Sequence, residues 1–206
     1  WEGAGAFKAL VGGESLPADL AEHLLERTGE LWNLYGPPET TVWSTCGRVA
    51  NPRAGISIGR PIANTTVYVL DEHGQLCPVG VQGEIHIGGA GVTLGYLRRA
   101  ELTAERFVPD PFSATPTARL YRTGDRGRWL ANGTLEHLGR LDFQVKVRGY
   151  RIELGEIETA LDVHQAVRQS VVVASGSSPD ETRLVAYVSF HPGASATGSE
   201  LRRFLR

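Results

Sequence analysis

The spacing of hydrophobic positions changes several times along the chain. Between Leu16 and Arg27 the apolar residues Leu20, Leu24 and Leu25 recur at helical intervals, and Pro17 suits a first helical turn. Asn33 to Thr41 then reads as a turn-rich loop stiffened by Pro37 and Pro38, which fix φ and remove two backbone donors. From about residue 56 the period falls to two. Thr66 to Leu70 reads as a strand, followed by a turn around Asp71 to Gly74, and Gly83 to Gly88 alternates in the same way. Trp129 to His137, with Asn132-Gly133 at its centre, predicts a hairpin closed by a type I′ turn. Beyond Asp142 come a short strand at Gln144 to Val147 and a helix over Glu153 to Val163, with Leu154, Ile157 and Leu161 on one face. Apolar strands at Ser170 to Ala174 and Leu184 to Phe190 follow, and Ser199 is the expected N-cap of a last helix.

These patterns divide the chain at Leu141 to Phe143. Residues 1–54 read as αβ elements, and about 55–141 as a barrel-like run of short strands. Residues 142–206 read as a small α+β unit. The 206 residues suit one ordinary domain or two small ones. With 41% hydrophobic and 21% charged residues the composition is globular. A net charge of -2 with no Lys/Arg run argues against nucleic acid as a partner, and no apolar stretch reaches membrane-spanning length. Cys46 and Cys77 lie far apart without metal-ligand spacing, which points to a reducing cytoplasmic setting. The chain opens at Trp1, contains no Met, and ends in Leu201 to Arg206, which reads as a helix in progress. Both ends are therefore expected to lie inside a longer polypeptide.

Four stretches carry a family resemblance. They are Asn33-Leu34-Tyr35-Gly36-Pro37-Pro38-Glu39-Thr40-Thr41; Gly83 to Val92 with Gly95-Tyr96-Leu97; Tyr121-Arg122-Thr123-Gly124-Asp125; and Gly139 to Glu158. In this order the set resembles the core motifs of adenylate-forming enzymes, which include acyl-CoA synthetases, luciferases and the adenylation domains of nonribosomal peptide synthetases. The runs Gln144 to Gly149, Arg151 to Glu158 and Leu102 to Phe107 resemble the peptide-synthetase branch most. The resemblance implies a fold class of α/β and β. The chain would form the end of a large adenylate-forming α/β domain with a distorted β-barrel, then a small, mobile α+β C-terminal subdomain from residue 142.

The same resemblance implies activation of an amino acid with ATP, giving aminoacyl-AMP and pyrophosphate. The acyl group then passes to the phosphopantetheine thiol of a peptidyl carrier domain, with neighbouring synthetase domains as partners. Tyr35, on a stiff loop with Gly36, would offer its ring to adenine, and Asn33 would meet the purine edge. Glu39 would be a Mg²⁺ ligand, since a hard carboxylate oxygen beside a triphosphate suits that ion. Asp125 would accept from both ribose hydroxyls. Arg140 would lie near ribose and phosphate, and His137 near adenosine. Asp142 would be the hinge, with Lys146 and Gly149 serving the two orientations of the small subdomain. Glu153, Glu156 and Glu158 are assigned to structure, as acids that complement a helix dipole.

Two positions depart from the family pattern. Pro38 stands where a Thr hydroxyl usually meets the α-phosphate, and His137 stands where Tyr is common. The resemblance also implies that the phosphate loop lies upstream of Trp1 and the catalytic lysine downstream of Arg206. No catalytic residue is therefore assigned, and the chain alone is expected to be inactive. Val11, Gly13, Leu34, Val42 and Trp43 fall at side-chain pocket positions and suggest a small or apolar amino acid, glycine among them. Two alternatives stay open: a degenerate docking or scaffold module, and an acyl- or aryl-CoA ligase of the same fold.

Overall fold

The computed structural model describes residues 2–142, 144–147, 150–176 and 182–205; the side chains of Lys146 and Arg151 also fall outside the description. Two compact units divide the chain, Trp1–Leu141 and Asp142–Arg206.

The first unit begins with a βαβ element. Strand β1 (Ala4–Gly12) and strand β2 (Thr28–Tyr35) pair in parallel, and helix α1 (Ala18–Leu25) makes the crossover between them. Pro17 is the N-cap of α1 rather than a residue of its first turn. Leu20 is exposed, and Ala21 takes the buried position against Leu31 and Val49, with Leu24 and Leu25 beside it. The three leucines thus do not share one buried face, because the small Ala21 lets the helix approach the sheet. Strand β3 (Thr45–Val49) runs antiparallel to β2, and the short β4 (Arg60–Pro61) completes a four-stranded sheet.

A second sheet follows. Strands β5 (Thr65–Leu70), β6 (Gly83–Gly89), β8 (Arg119–Trp129) and β7 (Phe107–Pro109) pair in that order, and β9 (Leu135–Arg140) joins β8. Helix α2 (Ala100–Arg106) precedes β7. All its pairings are antiparallel. Ile58, Val67, Val69, Ile85, Ile87 and Leu135 form its core. A single bridge, Gly59 to Leu135, links the loop before β4 to β9. Among the described residues the strands make open sheets that do not close into a complete barrel.

The hairpin between β8 and β9 differs from the type I′ expectation. Gly133 has φ +75, but Asn132 is not left-handed. Leu130 N–H donates to Thr134 O and Gly133 N–H to Leu130 O, which is the arrangement of a longer loop with one left-handed glycine. Asn132 uses its side chain instead, accepting from Thr134 N–H at 3.0 Å.

The second unit contains a hairpin of β10 (Val145–Val147) and β11 (Tyr150–Ile152), helix α3 (Leu154–Asp162), paired strands β12 (Val167–Ser175) and β13 (Arg183–Phe190), and helix α4 (Gly198–Phe204). Leu154, Leu161, Val167, Val172 and Leu201 are its buried core, with Ile157 packed against them. The N-cap of α4 is Thr197, not Ser199. Its hydroxyl accepts from Glu200 N–H, and Glu200 accepts from Thr197 N–H, forming a capping box. Glu158 ties α3 to β12 by accepting from Val172 N–H at 2.8 Å.

Candidate functional site

The first unit gathers Tyr35, Asp125, His137 and Arg140 around one carboxylate. Tyr35 closes β2, Asp125 lies on β8, and His137 and Arg140 lie on β9. The register between β8 and β9 shifts between Asp125 and Gly127, and Gly124 has φ +71. This bulge re-aims the Asp125 side chain, as bulges do beside functional sites. Thr123 fixes the carboxylate's backbone, accepting from Asp125 N–H at 2.9 Å and donating to Ile85 O at 2.7 Å.

Tyr35 O–H donates to Asp125 Oδ2 at 2.5 Å, Arg140 Nη1 donates to Oδ1 at 3.1 Å, and His137 Nε2 lies 3.3 Å from Oδ1. Arg140 also donates to Thr123 O at 2.9 Å. Gly139 N–H points at His137 Nδ1 at 3.3 Å, so that nitrogen accepts and Nε2 carries the proton toward Asp125. The rings of Tyr35 and His137 lie 5.6 Å apart and tilted. Burial alone would raise the Asp125 carboxyl, but His137, Tyr35 and Arg140 outweigh it and hold the group below its usual range. Burial, reinforced by the Asp125 charge, pushes the Tyr35 phenol well up. The result is a buried, ionised acceptor beside two aromatic rings, suited chemically to a polyhydroxylated ligand bearing a flat base.

A second cluster surrounds Glu39. Pro38–Thr40 forms a single 3-10 turn after Pro37, and Glu39 is 8% exposed. Tyr96 O–H donates to Glu39 Oε1 at 2.7 Å. Gly36 permits this loop: a Cβ there would meet Ser44 N and Val42 O at 2.6 Å. Among the described residues no group of three or more His, Cys, Asp or Glu side chains could hold a metal ion. Glu39 is thus a single carboxylate whose cation would need oxygen ligands from a substrate, as Mg²⁺ often does.

Other sequence-selected residues lie elsewhere. Asn33 is buried in β2, and its amide donates to Ser57 O at 2.9 Å, so it braces β2 against the loop before β4. Val11 lies opposite Asn33 and Gly12 opposite Leu34 in the parallel pairing, so Val11 and Leu34 face opposite sides of the sheet. Val11 packs with the α1 core, Leu34 is buried, and Gly13 is exposed at φ +95. Val42 and Trp43 are 60% and 49% exposed. Asp142 Oδ1 accepts from Gln144 N–H at 3.2 Å. Lys146 sits opposite Arg151 in the β10–β11 hairpin, and Gly149 lies outside the described residues. Thr123 and Tyr96 were not singled out from the sequence, although both stand inside the quoted motifs and could have been sought there.

Residues 4–97 match the family described as AMP-binding enzyme. The chain is 47% identical over 97% of its length to a dimodular nonribosomal peptide synthase of Bacillus subtilis (strain 168), and 46% identical over 98% to gramicidin S synthase 2 of Brevibacillus brevis. It spans only 8% and 4% of those two proteins. Among solved structures it superposes on a holo four-domain nonribosomal peptide synthetase bound to AMP and glycine, with TM-score 0.65 and 45% identity over 100% of this chain and 15% of that one. A holo synthetase protein containing adenylation and PCP domains gives TM-score 0.81 and 34% identity over 91% of this chain and 33% of that one. The chain belongs to the AMP-binding, adenylate-forming enzymes, in the branch of nonribosomal peptide synthetase adenylation domains.

Proposed function

We propose that this chain is part of a domain that activates an amino acid and loads it onto a carrier protein. The amino-acid carboxylate attacks the α-phosphorus of ATP and pyrophosphate leaves. The phosphopantetheine thiol of the carrier then attacks the mixed anhydride, and AMP leaves. The observation that carries this reading is the ionised Asp125, held by Tyr35, His137 and Arg140. An ionised carboxylate has about four acceptor positions. The three internal donors occupy most of them, so an incoming ribose diol displaces at least one. Tyr35 and His137 then flank adenine, Arg140 supplies fixed positive charge, and Gly36 and Asn33 keep the loop and strand in place.

Glu39 would hold Mg²⁺ together with phosphate oxygens, and the ion would screen the charge on the triphosphate. Residues 1–141 would belong to the large catalytic subdomain and 142–206 to a smaller one that reorients about Asp142, with Lys146 and Gly149 serving its two positions. Val11, Gly13, Leu34, Val42 and Trp43 would favour a small or apolar amino acid, glycine among them, and the relative bound to AMP and glycine supports that direction. Neighbouring synthetase domains are the expected partners. A cytoplasmic setting fits the free Cys46 and Cys77. Among the described residues no helix is long and apolar enough to cross a membrane.

Calorimetric titration of AMP into the purified chain, beside its Asp125→Ala variant, tests the nucleotide site. Binding that survives the substitution would overturn it. The chain alone should give no amino-acid-dependent pyrophosphate exchange; strong exchange would overturn that part. Pro38, which carries neither hydroxyl nor N–H, favours a second reading as a non-catalytic docking module. Adenylate formation by the synthetase carrying this sequence would exclude it.

A further inference from the structure

The stretch from Gly83 to Leu97 supplies no group to the nucleotide roles above, yet its far end is fastened to the Glu39 turn at three points. Thr93 N–H donates to Glu39 O at 2.9 Å, Thr41 Oγ1 donates to Gly91 O at 2.8 Å, and Tyr96 O–H donates to Glu39 Oε1. Close approach explains two of its glycines. A Cβ on Gly91 would meet Thr40 O at 2.8 Å, and one on Gly95, at φ +132, would meet Thr103 Cγ2 at 2.3 Å.

Tyr96 is itself held at both backbone and ring. Its backbone N–H donates to Thr103 Oγ1 at 2.9 Å, and the Thr103 hydroxyl donates to Arg99 O at 2.8 Å at the start of α2. Its ring meets Phe107 edge-on at 5.5 Å, and Phe107 lies 5.1 Å from the Tyr121 ring. The Tyr121 hydroxyl is 3.3 Å from that of Tyr96. A tyrosine phenol is protonated in the neutral range, so Tyr96 O–H is the donor to the Glu39 carboxylate.

We propose that Tyr96 is a positioning residue for the Glu39 carboxylate: it fixes one oxygen and so sets the direction in which the group meets a divalent cation. This rests on the reading of Glu39 as the Mg²⁺ carboxylate. Orienting a carboxylate before it meets a cation lowers the side-chain entropy lost on metal binding. Tyr96 acts through Glu39, across 57 residues of sequence.

The test compares Tyr96→Phe and Glu39→Gln in the synthetase carrying this chain. Mg²⁺ is titrated in pyrophosphate exchange at saturating ATP, and Mn²⁺ bound with ATP is followed by electron paramagnetic resonance. Tyr96→Phe keeps the ring packing and should raise the half-saturating Mg²⁺ concentration roughly tenfold, the scale of one hydrogen bond to a charged group. The rate at saturating Mg²⁺ should fall less than about twofold on the same argument, and the bound Mn²⁺ spectrum should broaden. Thr103→Ala, which loosens Tyr96 from behind, should shift the Mg²⁺ dependence in the same direction by less, and it serves if Tyr96→Phe does not fold. If neither variant moves the Mg²⁺ dependence or the Mn²⁺ spectrum while Glu39→Gln moves both, the role of Tyr96 is overturned and Glu39 keeps its own. If Glu39→Gln moves neither, the Glu39 reading falls and this proposal with it.

Discussion

Tyr35 and Asp125, 90 residues apart in sequence, share a hydrogen bond of 2.5 Å inside the first unit. It joins the end of β2 in the four-stranded sheet to β8 in the second sheet, so the candidate site also fastens the two sheets of that unit. Tyr35→Phe should therefore cost stability as well as ligand affinity. Removing a buried donor from a carboxylate costs about 1.5–3 kcal/mol. Urea denaturation should show that loss, and AMP titration should show weaker binding.

The depressed Asp125 carboxyl makes this contribution depend on pH. A group whose folded pKa lies below its unfolded one adds stability at pH above the unfolded value. That stability starts to fade as pH falls below the ordinary carboxylate range, and it is gone once pH passes the lower folded value. The parent should thus exceed Asp125→Asn in stability at neutral pH, and the gap should narrow in acid. Paired urea titrations between neutral and acidic pH read the difference directly.

Thr41 and Val42 both adopt left-handed backbone, at φ 64 and φ 68, and Trp43 N–H donates back to Thr41 O at 2.8 Å. Such a conformation is strained for β-branched residues, at about 1–3 kcal/mol each. Val42 is exposed, so its side chain adds little packing to offset that. Val42→Gly should raise the melting temperature of the chain by thermal denaturation, against the general tendency of glycine to destabilise.

The capping box at α4 predicts an asymmetry between neighbouring hydroxyls. Thr197→Ala should cost about 1 kcal/mol. Ser199→Ala, inside the helix, should change stability by less than about 0.5 kcal/mol. Chemical denaturation followed by far-ultraviolet circular dichroism compares the two.

Much of the second unit could be read in the sequence because its signals are local. Leu154, Ile157 and Leu161 repeat at helical spacing and do pack on one core. The two apolar strands after them lie within the observed β12 and β13. The early chain was harder. Asn33 to Thr41 looked like loop because Gly36, Pro37 and Pro38 dominate its local pattern, yet Asn33, Leu34 and Tyr35 end β2. Their pairing to β1 and β3 overrides the local signal, and no short window contains it.

Motif order in the sequence determined the family, since four separated stretches fall in one sequence of chemistry-bearing groups. It also determined which residue types were available: a tyrosine, an aspartate, a histidine and an arginine near the nucleotide motifs. Only the tertiary structure decided how they combine. The bulge at Gly124 to Gly127 turns Asp125 toward Tyr35, Gly139 N–H selects the tautomer of His137, and the fold of Gly91 to Tyr96 brings a phenol to Glu39. Those relations depend on register, on backbone conformation and on contacts between residues distant in sequence. Side-chain identity supplies the groups, but the distances and directions between them are set by pairing and packing across the whole unit.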